Sequence, residues 1–572
     1  MGSGIYSIGI SALQNAQLGL ATTSHNIANA NTEGYNRQRI IQASNVATLT
    51  GAGYVGQGAH VSTIERIYSS YVAKQVYTAQ TTASELEAYS TSITQLNNLL
   101  LDEDAGLASA LDGFFEGVNQ VSADPSSLAT RQTMVSSAEA LVSRFQSLNS
   151  QIDAQYEGIN SQIQGYVTSI NSYAQQIATL NKQIIVAESS TNQPPNDLYD
   201  QRDLVVAELN KLIGVQTTTN SNGSLNVFFG NGQQLVVGLT ATTLTAVSSS
   251  EDPSRLTVGL VNPSGTQELP ESVLSGGALS GILEYRSETL DTAANELGRI
   301  AASLALTFNA QHAQGRDLLG NTGSSVEAFF SLDVPTVVGN GNNPEGTAAV
   351  EVSAAFLDPL QSSDGTFYTN LTTSDYRLDY DGSTNSVTLT SLSNPDDIWT
   401  GADIAAINTQ IGTSLGFSIL ANAAFTAGET YSYLIQPTRN AAQGIEVNDA
   451  VSADVRLIAA GAASDSGVSD NRNALLLAQL QTGKTMDGNA ASFATAYAQM
   501  VSDLGNKGNE VETLLAAQTT LLTEAEDARD SISGVNLDEE AAKLIEYQQS
   551  YQAAAKMLQI ASELFDSILA IG

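Results

Sequence analysis

Only three residues offer a ring nitrogen to a metal or a proton relay: His25, His60 and His312. Zinc sites draw His, Cys, Asp and Glu donors from closely spaced positions. Three histidines so far apart, with no cysteine anywhere in the chain, point to surface or helix-packing roles. Without cysteine there is also no disulfide and no thiol nucleophile. QTGKTM, residues 481–486, ends like a phosphate-binding loop. That loop needs a glycine five positions before Gly483, where Ala478 stands on the helical run NALLLAQL. DYDGSTN sets Asp379 and Asp381 like calcium ligands, but Gly382 comes too soon and no suitable glutamate follows, so a hairpin turn is expected. Asp102 and Asp104 in LDEDAG read as a solvated loop. No Gly-x-Ser-x-Gly elbow and no His-Glu-x-x-His pair is present. The single tryptophan, Trp399, is expected in the core of a small β domain rather than as a ligand-stacking platform. The expectation is a chain with no catalytic residues, no cofactor and no metal.

Composition narrows the partners. Acids outnumber bases 59 to 22, for a net charge of −37. Phosphate-backbone binding needs clustered Lys and Arg, and anionic membrane surfaces attract basic segments; neither nucleic acid nor membrane is expected. No apolar run is long enough to span a bilayer. The opening MGSGIYSIGISALQNAQLGL lacks the basic region and continuous apolar core of a secretory signal, so export would follow another route. At 572 residues, two to four domains are expected.

Helical periodicity governs both ends. Leu13, Ala16, Leu20, Thr23 and Ile27 recur at alternating spacings of three and four, and so do Leu537, Ala541, Leu544, Gln548, Tyr551, Ala555, Leu558, Ser562, Phe565 and Leu569. Asn536 is placed to cap the second run, with Asp538, Glu539 and Glu540 at the positive helix N-terminus. Each stripe is narrow, and isolated helices of this kind are marginal in water, so both require partners. Further stripes are Leu86 to Leu100, Tyr156 to Ile184, Leu290 to Phe308 and Phe493 to Ala528. The second predicts a helix from about Leu141 to Glu188, roughly 70 Å long at ~1.5 Å per residue. Short β-branched runs interrupt this pattern, among them SLNVFFGNGQQLVVG, split by Asn-Gly, and YRLDYDGSTNSVTLTSL. The expected fold class is multi-domain α+β, an elongated helical bundle with coiled-coil packing and inserted β-rich outer domains. The expected domains are terminal helices 1–35 and 535–572, a helical body of 36–204, 286–330 and 461–534, a small β-rich domain 205–285 and an outer β-rich domain 331–460.

NIANANTEGYNRQR, residues 26–39, breaks the first stripe. Asn29 and Asn31 disfavour further helix and can bond their own backbone. Gly34 can take a positive φ that ends the element, and Thr32 or Asn31 can serve the segment that follows. Arg37 and Arg39 are expected to meet acidic neighbours on other subunits.

SALQNAQLGLATTSHNIANANTEGYNRQR resembles the N-terminal motif of the bacterial flagellar axial proteins of rod, hook and hook-associated type. SGVNLDEEAAKLIEYQQSYQAAAKMLQIASELFDSILAIG resembles their C-terminal helix. Internal stretches such as GGALSGILEYRSETLDTAANELGRIAASLALTFNAQHAQGRDLLG and SDNRNALLLAQLQTGK resemble the hook-associated members at the hook–filament junction. The resemblance covers most of 1–210, 275–330 and 468–572. It implies a structural, non-enzymatic protein, secreted by the flagellar type III route and placed in the extracellular flagellum. It implies self-assembly into a ring, with hook protein below, a second hook-associated protein above, and an export chaperone. It makes Asn26, Asn29, Asn31, Thr32, Gly34 and Tyr35 the family motif. Leu13, Leu20, Ile27, Leu537, Leu544, Tyr551, Leu558 and Phe565 become subunit-packing residues. The alternatives are a hook or rod protein, or an adhesin or surface-exposed enzyme carried on the inserted domains.

Overall fold

A computed structural model describes residues 2–51, 53–100, 106–346, 349–464 and 467–571. Asp102 and Asp104 lie outside the described residues, as does the side chain of Leu569. The helices in chain order are α1 (Gly2–Ala28), α2 (Ser70–Leu100), α3 (Leu107–Ala123), α4 (Leu128–Thr191), α5 (Asn196–Leu212), α6 (Gly277–Glu284), α7 (Asp291–His312), α8 (Ile404–Ile411), α9 (Ala441–Gly444), α10 (Asp449–Ala453), α11 (Arg472–Gln479), α12 (Phe493–Ser533) and α13 (Leu537–Ile571). A π-helical stretch, Tyr285–Leu290, joins α6 to α7.

The strut of the body is α4. Its 64 residues reach about 96 Å at ~1.5 Å per residue. It starts earlier than the apolar stripe suggested, because Ser127 caps it by accepting from the Thr130 backbone N–H and Met134, Val135 and Ala138 already pack in the core. It stops where Asn192 adopts a left-handed conformation ahead of Pro194 and Pro195. Around α4 runs one continuous apolar core, with α7 buried almost all round and a knot of rings from Phe114, Phe115, Phe308, Phe329 and Phe330.

The small β region forms a four-stranded and a three-stranded antiparallel sheet. SLNVFFGNGQQLVVG is a hairpin, with positive φ at Gly230 and Gly232 on either side of Asn231. Three asparagines on α4 dock these sheets. Asn160, Asn171 and Asn181 each accept from a strand N–H, at Leu256, Leu244 and Leu225, and each donates its amide to a nearby carbonyl. The spacing of 11 and then 10 residues keeps all three on one helix face. Val227, Leu235, Leu244 and Val258 therefore belong to the same core as the helices.

The outer domain has its own core of Tyr376, Leu378, Leu389, Phe417 and Ile435. Its five-stranded antiparallel sheet runs in the order Thr336–Gly339, Thr430–Gln436, Tyr376–Asp381, Ser386–Ser391, Ile398–Gly401. DYDGSTN makes the turn of its central hairpin, where Asp381 accepts from the backbone N–H and hydroxyl of Ser383. Trp399 is half-buried on the edge strand, packed against that core. Its apolar boundary is narrower than 331–460, because Ile445, Val447, Val451, Ile458 and Ala460 all sit in the core of the body.

The stretch expected to be helical body from residue 36 onward instead begins with a β-hairpin. Gln38–Ser44 pairs antiparallel with Ala59–Arg66, with a bulge after Ile41. The hairpin tip carries Val46, Leu49, Tyr54 and Val55 into solvent.

Candidate functional site at the terminal helices

α1 and α13 pack antiparallel, and small residues make the contact. Gly9, Ala16, Gly19, Thr23 and Asn26 share one buried face of α1. A Cβ on Gly9 would stand 2.7 Å from Leu558 Cδ2, and one on Gly19 would stand 2.6 Å from Tyr547 Cε1. Both glycines are therefore required by close approach of a bulky side chain. Leu13, Leu20 and Ile27 flank this face and are half-buried, while Leu544 and Leu558 are half-buried on α13. Leu537, Tyr551 and Phe565 remain 53%, 38% and 56% exposed. Periodicity thus picked out Ala16 and Thr23 on the contact face and missed Gly9 and Gly19, where bulky side chains of α13 approach.

The hairpin braces α1 from a second side. The Asn15 amide donates to the Ala59 carbonyl at 2.9 Å, and Gly58 lies so close that a Cβ would meet Ser11 Oγ at 2.4 Å.

NIANANTEGYNRQR is the knot that ties these parts together. Asn26, 1% exposed, uses both ends of its amide. It donates to the Gln38 carbonyl at 2.8 Å and to Glu540 Oε2 at 2.9 Å. Its oxygen accepts from the Tyr35 hydroxyl at 2.7 Å and the Gln38 N–H at 2.9 Å. Asn29 stops the helix by bonding the His25 carbonyl through both its backbone N–H and its side-chain amide. The Thr32 N–H donates to the Asn29 carbonyl. Gly34 holds φ +77° against Leu204. Thr32 and Asn31 are exposed, and the segment after them is a strand, so neither caps a helix.

Beyond the turn, Asn36 is clamped on Asp200 of α5, donating from its backbone at 3.0 Å and its side chain at 2.7 Å. Arg66 reaches the same Asp200 at 2.9 Å and Asp203 at 2.7 Å, with its guanidinium over the Tyr68 ring. Burial pushes the Asp200 carboxyl up despite these donors. Burial also raises Tyr35, aided by Asp197, Asp200 and Glu540, so its hydroxyl stays a donor to Asn26.

Within the chain Arg37 and Arg39 already meet acidic neighbours. Arg37 bonds Glu540 at 2.8 Å and Glu539 at 2.7 Å in the first turn of α13, and Arg39 bonds Glu65 at 2.6 Å on the paired strand. Burial works against the Arg37 charge, but the hydrogen bonds it donates to both glutamates hold it above its ordinary range. Asn536 caps α13 as its position suggested, accepting from the N–H groups of Asp538 and Glu539. Glu540, buried beneath Arg37 and Asn26, had no sequence signal beyond its place in an acidic first turn. Asp200 had none.

A cleft of about 700 Å³ lies under the turn, between residues 30–37, α2, α5, the end of α12 and the start of α13. His25 and His60 lie near this end, and His312 is deep in the body, accepting from the Ala459 N–H. Among the described residues no three His, Asp or Glu side chains converge as metal ligands, and no helix is long and apolar enough to cross a membrane.

Known proteins match this architecture segment by segment. The family model for the flagellar hook-associated protein FlgK helical domain matches residues 93–330. The flagella basal body rod protein model matches 7–36, and the flagellar basal body rod FlgEFG protein C-terminal model matches 529–571. Flagellar hook-associated protein 1 of Salmonella typhimurium is 36% identical over 578 aligned residues, covering 100% of both chains. The chain belongs to the flagellar hook-associated protein 1 family. The Escherichia coli hook-associated protein 1 is 35% identical across 100% of both chains. The solved structure of the flagellar hook junction protein FlgK from Burkholderia pseudomallei superposes with a TM-score of 0.69 at 30% identity, over 80% of this chain and 100% of that one. The two rod-protein matches fall on α1 with its knot and on the end of α12 with α13, the parts that pair here. The family is one of structural flagellar proteins.

Proposed function

We propose that this chain is the structural subunit that joins hook to filament. It self-assembles into a ring, bound by hook protein on one side and a second hook-associated protein on the other. It reaches that position secreted, through the flagellar type III route, with an export chaperone holding its C-terminal helix.

The observation that carries this reading is the one-sided pairing of α13. This 35-residue helix meets α1 along one face, and Leu537, Ile545, Tyr551, Ile560, Leu564 and Phe565 stay exposed. Apolar rows on a long helix call for neighbours, here the terminal helices of other copies. α1 helps, because the first charged residue of the chain is Glu33 and no like charges oppose close packing there. Ordering two narrow helices with so little burial costs more conformational entropy than one chain regains. In the free monomer residues 1–30 and 535–572 are accordingly frayed, and folding completes on assembly.

Electron microscopy of cells lacking the gene tests the role: hooks without filaments are expected, and loss of the hook itself overturns the junction reading. A chain with Tyr551→Asp and Phe565→Asp should fold yet fail to restore filaments. Amide exchange on dilute monomer tests the coupled folding, and strong protection around Tyr551 refutes it.

A further inference from the structure

The hairpin that braces α1 ends in a tip with no support from its own chain. The two short strands there, Thr48–Thr50 and Gly53–Val55, pair with each other, and all of their residues are exposed. Val46, Leu49, Tyr54 and Val55 are 91%, 67%, 77% and 47% exposed. A two-stranded hairpin alone in water is marginal, and apolar side chains gathered on it mark a contact. The same stretch is free of charge: residues 40–64 hold no Asp, Glu, Lys or Arg, in a chain whose net charge is −37. Copies so charged repel one another, so they approach most readily where neither carries charge.

The root of the same hairpin offers a recess of matching chemistry. A groove of about 630 Å³ lies between residues 61–64 of the second strand and the 193–198 segment that links α4 to α5. Val61, Ile64, Pro194, Pro195 and Leu198 wall it. Gln193 donates to the Ser62 carbonyl at 3.2 Å and Asn196 to the Ile64 carbonyl at 2.9 Å, which ties the two walls together. The larger cleft under the turn suits the tip less, because Glu33, Asp203, Glu208, Glu526, Asp530 and Glu539 line it and the tip has no cation to offer them. The tip does not reach its own groove. Gln57, just past the tip, lies beside Ser7 of α1, whereas Gln38, in the groove, is bonded to Asn26. Those two positions on α1 are roughly 28 Å apart at ~1.5 Å per residue. A tip in the groove therefore comes from another copy.

We propose that the hairpin tip of one copy seats in the groove at the root of the next copy's hairpin. A contact between different patches of identical chains is heterologous, and repeated through a closed turn it makes a ring. This rests on the ring assembly put forward above and names the surfaces that join its members. Both surfaces adjoin α1, so the contact is continuous with the pairing of terminal helices between copies.

Disulfide trapping tests the contact, and the chain has no cysteine of its own to confuse it. Chains carrying Tyr54→Cys and chains carrying Pro194→Cys are co-expressed with the unsubstituted chain, so that filaments form even where a substitution weakens the contact. Isolated flagella are then mildly oxidised. A disulfide needs Cα atoms within about 7 Å, so it reports close approach. A covalent dimer of the two substituted chains, lost on reduction, is expected. It should be absent when Ser161→Cys, at an exposed position on α4, takes the place of Pro194→Cys. Filamented flagella without the dimer overturn the contact and leave the junction role standing. A dimer formed with Tyr54→Cys as the sole cysteine variant also overturns it, since tips would then meet tips. Benzoylphenylalanine placed at position 54 reads the other occupants: capture of a different flagellar protein in place of a second copy overturns the proposal. Normal filaments, or lost hooks, in cells without the gene overturn the junction role itself.

Discussion

Replacing Asn26 by alanine takes four hydrogen bonds out of the knot between α1, the hairpin and α13. The groups left behind do not suffer equally. Glu540 keeps Arg37, and Lys543 stands 3.5 Å away. Tyr35 is only half-buried, and water can serve its hydroxyl. The Gln38 N–H and carbonyl lose this partner on a buried residue. Stranding a buried donor or acceptor costs about 1–3 kcal/mol, so a loss of ~3 kcal/mol is expected once partial hydration is allowed for. A large multi-module chain does not unfold in two states, so global melting is the wrong assay. Amide exchange of residues 536–547 in the assembled protein, where both chain ends are ordered, reads the local opening directly. A difference of ~3 kcal/mol is about two orders of magnitude in protection there, with helices α4 and α7 unchanged. Asn26→Asp should do more damage, because it places an acid where a donor faced Glu540, and Glu540→Gln should recover part of that loss. A fall of less than about threefold for Asn26→Ala refutes the claim that this side chain joins the two chain ends.

Gly19→Val should push Tyr547 away and part the α1–α13 pair, at a cost of about 1–3 kcal/mol; exchange at the α1 amides of the assembled protein would show it, and unchanged protection contradicts the close approach. Gly298→Ala would set a Cβ 1.7 Å from the Thr438 carbonyl oxygen, so loss of soluble folded protein is expected. Gly165→Ala, with nothing within 4 Å of the new Cβ, should instead stabilise α4 by roughly 0.5–1 kcal/mol, read as slower amide exchange along that helix. Burial holds the His312 ring down to about 4, against an ordinary value of 6.5. The folded state resists protonation, so stability from this group is complete above pH 6.5 and is lost as the pH falls toward 4, by ~3 kcal/mol in all. Amide exchange of α7 between pH 4 and 6.5, corrected for intrinsic rates, should show this slope in the unsubstituted chain and lack it in His312→Gln.

The long helices were legible because their buried positions are large and aliphatic and repeat at helical spacing. The cap at Asn536, the turn at Gly34 and the hairpin of DYDGSTN were legible because a single residue type solves each local problem. The closest approaches within the terminal contact were not. Gly9 and Gly19 add nothing to a hydrophobic pattern, and their role exists only because Leu558 and Tyr547 arrive from more than 500 residues away. The hairpin at 38–66 was passed over because most of its strand positions are half-buried or exposed, leaving a weak alternation. Arg37 was visible as a spare cation, but its partners depend on how the two ends of the chain meet. The outer boundary near residue 436 was hidden for a related reason: Ile445 and Val447 look like strand residues, and only the tertiary fold shows that they pair with Phe330 and Leu332 in the body.

The strut α4 has a mechanical consequence. Near its start, Arg131 anchors the 455–458 segment by donating to two of its carbonyls, and at its end Glu188 takes the Tyr199 hydroxyl while Gln193, just past the helix, bonds the Ser62 carbonyl of the hairpin. One uninterrupted ladder of backbone bonds therefore connects the two extremities of the body. A twist applied at the hairpin end travels along a single stiff element and need not cross the softer boundaries between modules. The body should turn as one lever, and what compliance the molecule has is confined to its two ends and to the seat of the outer domain.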